Sequence, residues 1–202
     1  MTTSMPHNPI TMATRITIAR ILGIPLFVLM LIYYKISLAT GEPVDAYRYV
    51  ALGLFVLIAL TDAVDGYLAR TRDEETRLGA ILDPLADKAL LLSAIILLTH
   101  PALEALQPQF PIWFTLLIIS RDAVLLSGSY IIHTTVGHVE VRPRLSGKFA
   151  TFLQMAAILA ALIPLPVVVF LWIVGAAAVF TLISWLQYIV DGIRQLERHE
   201  AH

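Results

Sequence analysis

A chain of 202 residues has room for one domain of ordinary size. It is 58% hydrophobic and 14% charged, with a mean hydropathy of +0.78. That is more apolar side chain than a soluble interior of this size can hide, so the composition is that of an integral membrane protein. A net charge of −1 gives no bulk basicity for nucleic acid, and the absence of cysteine excludes disulfides, cysteine-ligated zinc and thiol nucleophiles.

In chain order, residues 1–15 read as a short amphipathic or irregular lead at the cytoplasmic surface. The first apolar run, Ile21 to Tyr34, ends at Tyr34-Lys35 with no small-x-small cleavage site. It is therefore a first span, roughly 16–35, and not a signal peptide. Further spans of about 20 residues, the length that crosses roughly 30 Å of hydrocarbon, fall near 49–69, 79–99 and 110–132. From Phe149 to Val190 the chain runs without a formal charge, about twice the membrane thickness at about 1.5 Å per residue. Pro164-Leu165-Pro166 near its middle breaks the hydrogen-bond ladder and divides it into two helices. The expected architecture is all-α, with six transmembrane helices over 16–191 and a cytoplasmic tail at 192–202. Trp113, Trp172, Tyr33 and Tyr34 read as interfacial anchors.

Arginine and lysine set the expected orientation. The loops near 36–48, 100–109 and 164–166 hold only Lys35 and Arg48. The other side collects Arg70, Arg72, Arg77, Arg142, Arg144, Lys148, Arg194 and Arg198, and the amino terminus adds Arg15 and Arg20. Both termini are expected in the cytoplasm.

Acids inside spans carry the chemistry. Asp62 and Asp65 lie three apart in the second span, and Asp83 and Asp87 four apart in the third, so each pair shares a helical face. One aspartate near a span centre costs about 2.5–3.5 kcal/mol, and four standing alone would cost on the order of 10 kcal/mol. Antiparallel neighbours bring all four to one level near the cytoplasmic side, where carboxylates that close would protonate unless cations bind. Oxygen donors without His or Cys suit Mg²⁺ or Mn²⁺, and a pair of such ions roughly 3.5–4 Å apart serves displacement at phosphorus. The structural alternative makes the acids halves of helix–helix ion pairs, with Arg70, Lys88 and Arg121 as partners. It does not account for Gly66, Ala69 and Gly79 around them, where missing side chains admit a ligand or a neighbouring helix.

The segment Asp62-Ala-Val-Asp65-Gly66-Tyr67-Leu68-Ala69-Arg70, eight residues, then Gly79-Ala-Ile-Leu-Asp83-Pro84-Leu85-Ala86-Asp87 resembles the signature of the CDP-alcohol phosphatidyltransferases, D-x2-D-G-x2-A-R, about eight residues, G-x3-D-x3-D. Every fixed position is filled. Thr17-Ile-Ala-Arg20, Asp83-Pro-Leu-Ala-Asp-Lys88, Ser120-Arg121-Asp122 and Gly147-Lys148 before Gln154 also have counterparts in that family, from about residue 14 to 190. The resemblance implies a six-helix membrane homodimer with two divalent ions. Such an enzyme transfers a phosphatidyl group from CDP-diacylglycerol to an alcohol and releases CMP. It implies that Asp62, Asp65 and Asp83 hold the metals and that Asp87 touches the second metal and is general base. Gly66, Ala69 and Arg70 would then meet the nucleotide, with Gly79 giving clearance.

Arg121, deep in the fourth span, and Arg142, Arg144 and Lys148 around the entry to the fifth are candidates to capture an acceptor's phosphate. For Arg121 the alternative is an ion pair, and for the others a role in topology. A phosphate pocket favours glycerol 3-phosphate or phosphatidylglycerol as acceptor over choline or ethanolamine. Ser120-Arg121-Asp122 and the Arg142-Pro-Arg-Leu-Ser-Gly-Lys148 stretch look closer to the cardiolipin synthases of this fold, and two departures separate the chain from the glycerophosphate enzymes. Arg121-Asp122 stands where glycerophosphate enzymes often show Arg-Glu, with Ser129 in place of a further arginine, and Ala13-Thr14 replaces Pro-Asn. Glycerol 3-phosphate nonetheless leads as the commoner acceptor for such a core. A rival from another class is a non-enzymatic metal or proton carrier using the same acids.

Overall fold

The computed structural model describes residues 12–72, 77–99, 107–136 and 145–200. Six α-helices follow in order: α1 Met12–Ala39, α2 Asp45–Arg72, α3 Arg77–Thr99, α4 Ile112–Val136, α5 Leu145–Leu162 and α6 Val167–Glu200. The all-helical architecture expected from the sequence is the one observed. Among the described residues, Arg20–Ala39, Leu145–Leu162 and Val167–Arg194 are long and apolar enough to cross a membrane. The chain divides into two compact units, Met1–Leu97 and Leu98–His202.

In the first unit α1 packs along α2. A Cβ added at Gly23 would lie 3.1 Å from Ile58 Cδ1, so the missing side chain lets the two helices close up. Phe27 meets Phe55 at 5.7 Å between ring centroids, both fully buried beside Leu31 and Ala51. The turn between the helices is built by local chemistry. Gly41, at φ +79°, takes the left-handed conformation that ends α1. Ser37 Oγ donates to the Tyr34 carbonyl and accepts the Val44 amide.

Two cations assigned to this connection are in helices and buried. Lys35 in α1 is 3% exposed and donates to the Leu97 carbonyl on α3. Arg48 in α2 is 7% exposed, donates to Tyr34 Oη at 3.3 Å and lies over its ring. Tyr34 is accordingly no interfacial anchor, whereas Trp172 and Tyr33 are exposed. An ammonium or guanidinium in an apolar bundle needs oxygen or a π-face, and these neighbours supply it.

In the second unit α6 packs against both α4 and α5. Phe114 and Phe170, each fully buried, sit about Phe110, with ring centroids 5.4 and 5.1 Å from it. The turn at Pro164-Leu165-Pro166 falls where the prolines predict it. The Leu165 amide reaches back to the Ala160 carbonyl, and Pro166 offers its carbonyl to the Phe170 amide as α6 begins. Buried Gln154 of α5 donates to Thr181 Oγ1 of α6 at 3.1 Å. Interhelical bonds of this kind contribute about 0.6 kcal/mol in a membrane. Outward-facing side chains are large and apolar, Leu22, Leu57, Leu126 and Val168 among them, as lipid contact requires.

Candidate functional site

The acids that dominate the sequence belong to two helices of the first unit. Asp62 and Asp65 lie in the cytoplasm-directed half expected of α2, and Asp83 and Asp87 in the first half of α3. The helices are continuous through these positions, so the spacings of three and four residues are helical spacings. The side chains of Asp62, Asp65, Asp83, Gly66, Ala69, Arg70 and Gly79 lie outside the described residues.

Asp87 is described. Its Oδ1 accepts from Arg20 Nη1 of α1 at 3.2 Å, and the two side chains are 43% and 1% exposed. An ion pair is thus present, as the structural alternative foresaw, but its base is none of the three foreseen. In the sequence Arg20 stands only as an amino-terminal cation of the first span and as part of the pattern Thr17-Ile-Ala-Arg20. A guanidinium sunk to 1% exposure beside a carboxylate at 43% fixes where one oxygen sits and leaves the acid accessible.

Whether two dications fit can be judged on donor chemistry. The four acids offer only hard oxygen, and Asp87 remains open despite its buried partner, which suits Mg²⁺ or Mn²⁺. Among the described residues no three acids or histidines gather into a metal cage; three of the four aspartate side chains are not among them.

The second unit holds the other cluster. Arg121 of α4 is buried at 7% exposure, and three groups surround its guanidinium. Nη1 donates to Asp122 Oδ1 at 2.7 Å, Nη2 donates to Ser184 Oγ of α6 at 3.2 Å, and Cζ lies over the Tyr188 ring, 5.7 Å from its centre. Its Nε is buried with no hydrogen-bond partner among the described residues. Arg121 and Lys148 line one open cleft of about 460 Å³, with Gly147, Thr151, Phe152, Met155 and Tyr188. Arg121 is therefore both ion-paired and at a cavity. The structure brings together two of the four cations expected at the acceptor's phosphate. Arg142 and Arg144 lie outside the described residues.

The sequence pattern gives Asp122 no role, and Ser184 and Tyr188 stand inside a long uncharged run. The available signal was their spacing of four on one helix, too common in apolar helices to mark a site.

A family model described as CDP-alcohol phosphatidyltransferase matches residues 10–186. The chain is 33% identical over 189 residues to a Mycobacterium tuberculosis protein named probable phosphatidylglycerophosphate synthase, covering 92% of this chain and 83% of that one. It is 33% identical over 186 residues to the CDP-diacylglycerol–glycerol-3-phosphate 3-phosphatidyltransferase of Bacillus subtilis, covering 86% and 91%. A cardiolipin synthase (CMP-forming) of Streptomyces coelicolor is 31% identical over 148 residues, 73% of this chain and 63% of that protein.

Proposed function

The chain belongs to the CDP-alcohol phosphatidyltransferase family, and from that premise we propose that it transfers the phosphatidyl group of CDP-diacylglycerol to glycerol 3-phosphate and releases CMP. The single observation carrying the acceptor is the pair of relatives named for that reaction or its product, each aligned over more than four fifths of both chains. Membership of an enzyme family sets the ion-carrier reading aside.

Asp87 is the general base. Its carboxylate takes the proton of the acceptor hydroxyl, whose oxygen attacks the phosphorus bearing diacylglycerol while CMP departs. Arg20 holds Asp87 Oδ1 and so orients the base. Asp62, Asp65, Asp83 and Asp87 would hold two divalent ions, Mg²⁺ or Mn²⁺, which when bound neutralise charge on the pyrophosphate. Gly66, Ala69 and Arg70 contact the nucleotide and Gly79 gives it room. Arg121 and Lys148, with Arg142 and Arg144, receive the acceptor's phosphate; the cleft that Arg121 and Lys148 share supports this assignment.

The acids face the cytoplasmic side of the membrane. Burial of Lys35 and Arg48 supports that sidedness, since the turn between α1 and α2 then exposes no cation. A homodimer is the expected assembly.

Asp87→Asn tests the base. Asparagine keeps an Oδ1 for Arg20, so folding should be spared while CMP release from CDP-diacylglycerol and glycerol 3-phosphate falls at least a hundredfold. Near-normal turnover would remove Asp87 from the chemistry. A second reading, cardiolipin synthase, is favoured by Ser129 where a further arginine is usual and by the Streptomyces relative. Turnover with phosphatidylglycerol but not glycerol 3-phosphate would establish it instead.

A further inference from the structure

We infer that Ser184 and Tyr188 of α6, with Gly147 of α5, are positioning residues that fix Arg121 so that one edge of its guanidinium faces the acceptor's phosphate. The inference rests on the assignment of Arg121 to that phosphate and adds what makes it competent.

A guanidinium presents two forks of parallel N–H donors. One fork pairs Nη1 with Nη2, and here Asp122 takes Nη1 while Ser184 takes a hydrogen of Nη2. The other pairs Nε with the second hydrogen of Nη2. It is the fork left over, and its Nε is buried without a partner among the described residues. A buried donor without an acceptor costs about 1–3 kcal/mol, and the cost is offset when the site's ligand brings the acceptor. Two oxygens of a phosphate match that edge in spacing and plane.

The remaining contacts prevent rotation. Arg121 Cζ lies over the Tyr188 ring, 5.7 Å from its centre. Gly147 lies against Nη2: a Cβ there would stand 3.4 Å from Nη2 and 3.3 Å from Ser184 Oγ. A Cβ there would press on Ser184 Oγ, the group that holds Nη2, and so disturb the register of the free fork. Gly147, Tyr188 and Arg121 line the same cleft, and exposed Lys148, next to Gly147, adds a mobile point charge at it. A purely structural Arg121–Asp122 pair needs neither a glycine at van der Waals distance nor an unfilled donor beside a cavity.

The test is steady-state kinetics on the purified full-length enzyme in mixed micelles, with CDP-diacylglycerol and glycerol 3-phosphate varied separately. Arg121→Lys serves as reference, and apparent melting temperature is read alongside. Tyr188→Leu and Gly147→Ala should each raise the KM for glycerol 3-phosphate roughly tenfold. The KM for CDP-diacylglycerol and the melting temperature should stay put, and Tyr188→Phe, which keeps the ring, should restore the acceptor KM. Ser184→Ala should give a smaller rise of the same kind. If Arg121→Lys raises the acceptor KM but Tyr188→Leu and Gly147→Ala do not, the positioning roles are overturned and the phosphate assignment stands. If Arg121→Lys leaves the acceptor KM unchanged, the phosphate assignment itself fails. Equal rises in both KM values with a lowered melting temperature would make these residues structural and also overturn the inference. Should the wild type use phosphatidylglycerol alone, the same variants measured with it decide the question, because the phosphate is common to both acceptors.

Discussion

The Arg121–Asp122 pair allows stability and function to be separated. At 2.7 Å and an effective dielectric of about 20, the two charges attract by about 6 kcal/mol. Against that stands the desolvation of two ions whose side chains keep 8% and 9% of their exposure, several kcal/mol for each. The net contribution of the intact pair is therefore near zero. Removing one partner is different, because the other charge stays buried. Asp122→Leu should cost about 3 kcal/mol, on the order of 10 °C in apparent melting temperature for a chain of this length. Arg121→Met with Asp122→Leu together removes both charges and leaves apolar volume. That double variant should regain most or all of the loss while transferring no phosphatidyl group. Detergent-solubilised protein heated at one fixed scan rate gives the comparison, since unfolding of such proteins is irreversible and only matched rates compare. A double variant as unstable as Asp122→Leu, or more so, would refute the reasoning. The pair would then be a structural tie, and retention of a costly buried arginine would need no ligand.

Two further predictions concern the same enzyme. Lys148→Gln should raise the KM for the phosphate-bearing acceptor by roughly three- to tenfold and leave the melting temperature unchanged, since Lys148 is exposed at the rim of the cleft; an unaltered acceptor KM would exclude it from phosphate capture. Treatment with EDTA should abolish CMP release, and added Mg²⁺ or Mn²⁺ should restore it; full activity in chelator would remove the four aspartates from metal binding.

Much of this was legible in the linear pattern because it depends on near neighbours. Hydropathy and one proline pair separate six helices, and the signature places the acids on α2 and α3 at helical spacing. Helix ends were less legible. α1 runs from Met12 to Ala39, against an expected span of 16–35, and α6 continues to Glu200. Hydropathy senses the length that lipid covers, whereas backbone hydrogen bonds continue into polar sequence. Partnerships across the fold were not legible at all. Arg20 meets Asp87 across 67 positions and Arg121 meets Ser184 across 63. No local pattern states which of several arginines will be the one at a given carboxylate.

The buried cations also sort by what satisfies them. Lys35 is met by a backbone carbonyl, and Arg48 by the hydroxyl and ring of Tyr34, which also lies 3.5 Å from Asp45. These arrangements close the turn between α1 and α2. Arg20 and Arg121 instead meet carboxylates. One of those carboxylates stays 43% exposed, and the other arginine, which lines a cleft, keeps a buried Nε without a partner among the described residues. An apolar helix excludes charge by default. A charge that its neighbours satisfy completely therefore reads as architecture, and one left partly open beside a cavity reads as chemistry. By that criterion α1 carries a structural cation, Lys35, toward its carboxyl end, while Arg20 toward its amino end meets the carboxylate proposed as general base. A conservative change at Lys35 or Arg48 should then alter melting temperature without altering either KM, the reverse of the pattern expected at Lys148.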